Sequence, residues 1–321
     1  MMARVAASLR RIDKAVLVAS GCSVALLAGG ALYEPNLLSA DYLLQQLQVA
    51  SFLGVMATGL LLVVLLGHID LSLPWVVTIG GMMSTSAAGW GALGSALAIP
   101  FAVLCGLGIG VVNGVGVAYL RVPSMIFTLG MNAIAQGLMV VHTSGFAPQD
   151  HASPAMHFVA VERSILGIPN ALWIWLAVAG LTVTLLTRTA FGRRVYAIGN
   201  SERAAFLSRV NVKGVVLICF AISGACSAFA GALLAGYSTK AYQAMGDPYL
   251  LPAITAVVLG GTSILGGRGT YLGTMSGVIV VTLLSSILSI VQIPEAGRQI
   301  IYGVVIIVML LVYGRTDQVA G

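Results

Sequence analysis

Charge is what this sequence has least of. Its 321 residues include 16 Lys and Arg and 10 Asp and Glu, 8% of the chain, where a soluble domain carries about 25%. So few charges do not cover a water-facing surface of this size. With hydrophobic residues at 59%, a soluble globular protein and a disordered chain are both excluded. Lipid is the main solvent. Cysteine is also scarce: Cys22, Cys105, Cys219 and Cys226 lie inside apolar stretches without metal-ligand spacing, and they read as small lipid- or core-facing residues. Catalytic signatures are missing too. There is no GxxxxGK[S/T] loop, HExxH or GxSxG, so neither a nucleotide site nor an intramembrane enzyme is expected. The nearest approach, Gly261-Thr262-Ser263-Ile264-Leu265-Gly266-Gly267-Arg268, lacks the lysine and following hydroxyl. It reads instead as a tight break, at Gly260, Gly261, Gly266 and Gly267, between two membrane helices.

What is present is apolar length. A bilayer core of about 30 Å needs roughly 20 apolar residues per helix. Ten runs qualify: 15–32, 49–66, 74–92, 97–119, 124–141, 171–186, 214–235, 249–265, 272–293 and 298–313. Because they are continuously apolar and do not alternate, they predict an all-α polytopic membrane protein and not a β-barrel. The third is rich in Gly, Ser and Thr, and the eighth runs into glycines. Arg4, Arg10, Arg11 and Lys14 precede the first run, which exceeds the 7–15 apolar residues or so of a signal peptide and so predicts a retained helix.

The net charge of +6 tempts a nucleic-acid reading, but the basic residues belong to loops between apolar runs. There they record orientation and imply no nucleic-acid partner. With ten crossings and the N-terminus inside, thirteen of the sixteen basic residues fall inside, and Arg163, Lys240 and Arg298 fall outside. Both termini are therefore expected in the cytoplasm, with 1–321 forming a single transmembrane domain. Two polar segments interrupt the runs. The outer one, 143–170, is predicted to carry a short surface helix. The inner one, 187–212, has a helix start at Ser201-Glu202 and an apolar patch at Ala204, Ala205, Phe206 and Leu207. Either it docks a soluble partner or its basic residues are only the orientation signal.

Charges within the runs would mark an ion pathway, and there are almost none. Asp70, in Gly67-His68-Ile69-Asp70-Leu71-Ser72, stands between the second and third runs. It reads as a helix cap before Pro74 or as part of a path or gate. Uncharged polar groups inside runs include Asn113, Thr128 and Asn132, with Gln136, Thr182 and Ser285. Such groups hold helices together, and they suit a neutral polyhydroxy solute equally well. Small residues recur every four positions at Gly106, Gly110 and Gly114, and again at Gly269, Gly273 and Gly277, which predicts two close helix crossings.

Four stretches together resemble the permease subunits of ribose-type carbohydrate importers of the ATP-binding-cassette class. They are Gly67-His68-Ile69-Asp70-Leu71-Ser72, then Asn113-Gly114 with Arg121-Val122-Pro123-Ser124-Met125-Ile126-Phe127-Thr128-Leu129-Gly130. The third is Thr189-Ala190-Phe191-Gly192-Arg193 with Ala197-Ile198-Gly199-Asn200 and Ala204-Ala205. The fourth is Val258-Leu259-Gly260-Gly261-Thr262 with Gly266-Gly267-Arg268-Gly269.

The resemblance implies a non-catalytic subunit of the bacterial inner membrane, with ATP and Mg bound by separate ATPase subunits. It implies a second permease copy or paralogue and a periplasmic sugar-binding protein as partners, in a lipid environment. It also implies that 187–212 is the cytoplasmic coupling segment, with Phe191, Gly192, Arg193, Gly199, Asn200, Ala204 and Ala205 as coupling residues. Phe191 is then the apolar anchor, and Gly192 and Gly199 permit turns around it. This sequence departs from the pattern at His68, where glycine is usual, and at Leu73-Pro74, where Val-Gly is usual. Proline fixes one backbone angle, so a stiffer hinge is expected here. Import of a monosaccharide or related polyol is the expected function. A related branched-chain amino-acid permease is one rival; an ion-coupled secondary transporter, which needs mid-membrane charge, is the other.

Overall fold

The computed structural model describes residues 14–146 and 148–318, which form thirteen α-helices and no named strand. They are α1 (Lys14–Tyr33), α2 (Ala40–Leu65), α3 (Leu73–Ala88), α4 (Ala92–Ala118), α5 (Ser124–His142), α6 (Pro154–Ala160) and α7 (Asn170–Arg188). The chain continues with α8 (Ala190–Asn200), α9 (Glu202–Leu207), α10 (Val212–Ser238), α11 (Leu250–Leu259), α12 (Tyr271–Ile290) and α13 (Glu295–Gln318). Seven of these, α1, α2, α4, α5, α7, α10 and α12, are long and apolar enough to cross a membrane. The predicted all-α polytopic class is thereby obtained.

The two weak runs differ from expectation. The third is a helix of 16 residues and the eighth one of 10, about 24 and 15 Å at 1.5 Å per residue. The eighth stops at Leu259 because the glycines behind it leave helical backbone: Gly261, Gly266 and Gly267 have φ of 83°, 89° and 74°.

Helix α2 is the axis of the molecule. Nine-tenths of its apolar window, 89%, is buried, and α10, α7, α12 and α11 all pack on it. Helices α3, α4 and α10 form one flank; α12 carries α11 and α1 on the other. A bundle in lipid gains little from hiding apolar surface and depends on close backbone approach. A Cβ on Gly106, Gly110 or Gly114 would lie 2.3, 2.2 or 2.7 Å from α10 atoms, and one on Gly224 would lie 2.1 Å from the Gly106 carbonyl. The first predicted glycine ridge is therefore the α4–α10 crossing. Gly273 and Gly277 cross α11 at Gly260 and Ala256, whereas Gly269 lies in the preceding loop.

Polar ties supplement the crossings. The Tyr271 hydroxyl joins Thr58 Oγ1 at 2.7 Å and accepts from Trp175 Nε1 at 3.2 Å, linking α12, α2 and α7. The short surface helix expected in 143–170 is α6, which leaves Pro154, Ala155, His157 and Phe158 exposed and turns its other face inward. Met156 and Ala160 are fully buried, and α6 backbone lies against Gly236 of α10.

Gly108 and Gly110 provide an internal contrast, since nothing stands near a Cβ at Gly108. Gly110→Ala is expected to destabilise by about 1–3 kcal/mol through overpacking. Gly108→Ala should be neutral or stabilising by up to about 1 kcal/mol. Thermal unfolding of the purified variants in detergent checks this, and equal midpoints would contradict the crossing.

Candidate coupling and translocation site

The four polar residues predicted for a path or gate converge on the non-helical link between α2 and α3. Asp70 is 1% exposed. Its Oδ1 accepts from the Ser72 N–H at 3.1 Å and from Ser72 Oγ at 2.6 Å, and its Oδ2 accepts from Ser223 Oγ at 2.9 Å. A buried carboxylate without such donors would cost several kcal/mol. Asn113, fully buried on α4, donates through Nδ2 to Ser72 Oγ at 2.8 Å, and its Oδ1 has no partner. Thr128 Oγ1 accepts from the Leu71 N–H at 2.9 Å while donating to the Ser124 carbonyl at 2.8 Å. Asn132 Oδ1 accepts from the Trp75 N–H at 3.4 Å. Asp70 thus closes a turn onto Ser72, which stands at the N-cap position of α3 and makes no side-chain cap bond; no N–H within α3 reaches the carboxylate. Ser223, in the middle of α10, completes the network; nothing in the sequence distinguished it from other small α10 residues.

The predicted coupling residues and the predicted helix-break glycines meet at one place just below this network. A Cβ on Gly199 would lie 2.0 Å from the Leu65 carbonyl and 2.4 Å from the Gly267 nitrogen. The Gly267 N–H donates to that same Leu65 carbonyl at 2.9 Å. The Tyr196 hydroxyl donates to the Gly269 carbonyl at 2.9 Å, and Asn200 Nδ2 donates to the Gly267 carbonyl at 3.5 Å. The end of α8, the end of α2 and the glycine loop thus share one backbone junction. Gly67, a step from Leu65, is close enough that its Cβ would sit 3.0 Å from the Leu265 carbonyl. His68 follows it and packs its ring 6.1 Å from Phe220. Burial lowers the His68 pKa from its ordinary value, and the Glu202 carboxylate on α9 partly opposes this.

Two sequence expectations need physical correction. Gly192 and Gly199 do not permit turns, because both lie inside α8. They permit contact: a Cβ on Gly192 would lie 2.2 Å from the Leu186 carbonyl at the end of α7. Nor is Phe191 the outward apolar residue, since it is half-buried against the core. The exposed apolar residues of this segment are Phe206 and Leu207, at 70% and 74%. Ala205 faces inward, while Ala204, Arg193 and Asn200 are exposed. Thr189, Ser201 and Asn211 cap α8, α9 and α10 through side-chain oxygens, so 187–212 is a fixed structure.

A helical bundle with a buried polar link and a helical segment lying across one end is the architecture of a membrane permease. The chain belongs to the family described as branched-chain amino acid transport system / permease component, which matches residues 42–310. It is 33% identical over 290 residues to the ribose import permease protein of Haemophilus influenzae, covering 90% of each chain. It is 32% identical over 310 residues to the ribose import permease protein of Escherichia coli, covering 94% of this chain and 96% of that protein. The autoinducer 2 import system permease protein of Salmonella paratyphi B is 32% identical over 287 residues, 88% of this chain and 81% of that protein. No solved structure matches. Like its family, the chain is a non-catalytic, multi-pass membrane component.

Gly199→Ala is expected to insert normally and to lose most transport, because Leu65 and Gly267 have to separate to admit the methyl. Measured uptake against membrane abundance checks this, with Ala197→Gly, at an exposed position, as the tolerated control. Asp70→Ala strands the Ser72 N–H and two hydroxyls and is expected to cost about 1–3 kcal/mol. In detergent this reads as a lower unfolding midpoint.

Proposed function

We propose that the chain is the transmembrane permease subunit of an ATP-driven importer for a monosaccharide or related polyol in the bacterial inner membrane. Separate ATPase subunits bind ATP and Mg, a second permease copy or paralogue completes the pathway, and a periplasmic binding protein delivers the solute. The observation that carries this reading is the joint between 187–212 and the Asp70 link. Phe206 and Leu207 offer an apolar docking knob flanked by Arg203 and Arg209. Behind them, α8 meets the glycine loop and the end of α2 at Gly199, backbone on backbone. An ATPase that pulls on α9 therefore displaces the Leu65–Ser72 link without an intervening flexible side chain. Coupling requires that nucleotide-driven closure of the ATPases favour one permease state over the other. A stiff joint of this kind transmits that preference.

Ten crossings with both termini in the cytoplasm are the topology of this proposal. The ends of α2, α4 and α7, the starts of α5 and α10, and the glycine loop all gather around one end of the bundle. That end carries Arg121, Arg188, Arg193, Arg194, Arg203, Arg209, Lys213 and Arg268, as the positive-inside bias requires of a cytoplasmic face. The short helices α3 and α11 enter the bundle beside the two non-helical links.

The relatives named for ribose import support a sugar, and the family description supports a branched-chain amino acid as the second reading. The interior favours the sugar. A zwitterion calls for charged or helix-end partners, and Asp70, the buried charged residue among those described, is already engaged by Ser72 and Ser223.

The double variant Phe206→Ser, Leu207→Ser tests the docking element. It is expected to reduce co-purification of the ATPase from native membranes at least tenfold while leaving the permease folded. Unchanged ATPase recovery and unchanged uptake would overturn the assignment. Uptake that survives ATP depletion and collapses with an ionophore would establish ion coupling instead.

A further inference from the structure

At the end of the bundle opposite the coupling segment, a cavity of about 430 Å³ is lined by Asp41, Tyr42, Gln45, Gln48, Arg163 and Tyr237, with Val161. That volume falls within the range of small-molecule sites. Its composition is unlike the rest of α2, whose remaining turns are almost wholly apolar. Asp41, Gln45 and Gln48 stand at i, i+4 and i+7 and so form one stripe on the helix, about 10 Å long at 1.5 Å per residue. The stripe runs inward from an exposed Asp41 to a buried Gln48.

Each wall is held in place. Arg163, from the segment after α6, pairs with Asp41 at 3.1 Å and bridges the mouth. Gln48 Nε2 donates to the Ala160 carbonyl at 2.7 Å, which leaves its Oε1 as the acceptor at the inner end. The Tyr42 hydroxyl hydrogen-bonds Ser286 of α12. Tyr237, which lines the cavity, is propped edge-on by Phe52, with ring centres 5.5 Å apart at 61°.

We infer that this cavity is a subsite for a neutral polyhydroxy solute at the outer mouth of the permease. Its two charged residues are of opposite sign and cancel, so it offers no net field to hold an ion. What it offers is an alternation of acceptors and donors, from carboxylate, amide and guanidinium groups, beside an aromatic surface. A sugar or cyclitol matches that set, because its hydroxyls both donate and accept while its C–H faces pack on rings. The inference deepens the sugar-import reading and rests on it. In the transport cycle the subsite would retain the solute on the permease once the binding protein lets go.

The test uses the full chain in phosphatidylcholine nanodiscs, which carry no free polyol headgroup, and ligand-observed saturation-transfer NMR with D-ribose, D-galactose and myo-inositol as probes. At least one probe is expected to bind saturably. Gln45→Leu and Gln48→Leu should each weaken it about three- to tenfold, the loss of one neutral hydrogen bond. Gln45 is exposed, so Gln45→Leu keeps the test valid where Gln48→Leu fails to fold. Absence of binding, or binding indifferent to both variants, overturns the subsite. So does competition by glycerophosphoglycerol stronger than that of any sugar, which would make the cavity a lipid-headgroup site. Uptake by the reconstituted complex is read separately: no sugar transport overturns the proposed function, whereas transport without saturable binding overturns the subsite alone.

Discussion

Backbone-to-backbone contact is the constraint on which the rest of this structure depends. Helices in lipid gain little from hiding apolar side chains from one another, so their association relies on van der Waals packing at short range. Here the short range is reached by removing Cβ atoms. Gly106, Gly110 and Gly114 bring α4 onto α10, Gly231 brings α10 onto Val77 of α3, and Gly273 and Gly277 bring α12 onto α11. With Gly59 of α2 set against Ser223 of α10, these crossings make α10 and α2 a rigid spine. The hydrogen bonds joining Asp70, Ser72, Asn113 and Ser223 form only because α4 and α10 hold their side chains within reach of the α2–α3 link.

The same device recurs at the end of the bundle that carries 187–212. Gly199, Leu65 and Gly267 meet with no side chain between them, and a joint made of peptide groups has little compliance, because peptide planes are stiff where side chains rotate. Above the joint lies the non-helical link that carries Asp70, a buried charge. Below it lies a capped helical segment that exposes Phe206 and Leu207. Under the proposed function, stiffness between the Phe206–Leu207 face and a broken helix lets force applied by the ATPase at one end act at the other.

Much of this was legible in the residues. Scarce charge and continuous apolar runs place the chain in a membrane, and glycines at four-residue spacing anticipate the α4–α10 crossing because a period of four returns to one face of a helix. Asp70, Asn113, Thr128 and Asn132 were recognisable as polar groups inside apolar surroundings. The glycines of 260–267 were recognisable as a break. Less legible were Ser223, one small residue among many in α10, and the roles of Gly192 and Gly199. A glycine in sequence signals either a turn or a close approach, and only the neighbouring element distinguishes the two. Phe191 and Phe206 were likewise equivalent as apolar residues until α8 buried the first and α9 exposed the second.

The sequence by itself determined the solvent, the helical class, the approximate positions of the helices and the sign of the charge at each end. These follow from local composition and from periodicity, which depend on residues near one another in the chain. Tertiary structure alone decided that Gly199 would face Leu65 and Gly267, that Ser223 would complete the network around Asp70, and that Asp41 and Arg163 would close one cavity. Each of these pairs residues 68 to 153 positions apart. Such contacts depend on how helices cross, and crossing geometry comes from the fit of two surfaces, which no single stretch of sequence contains.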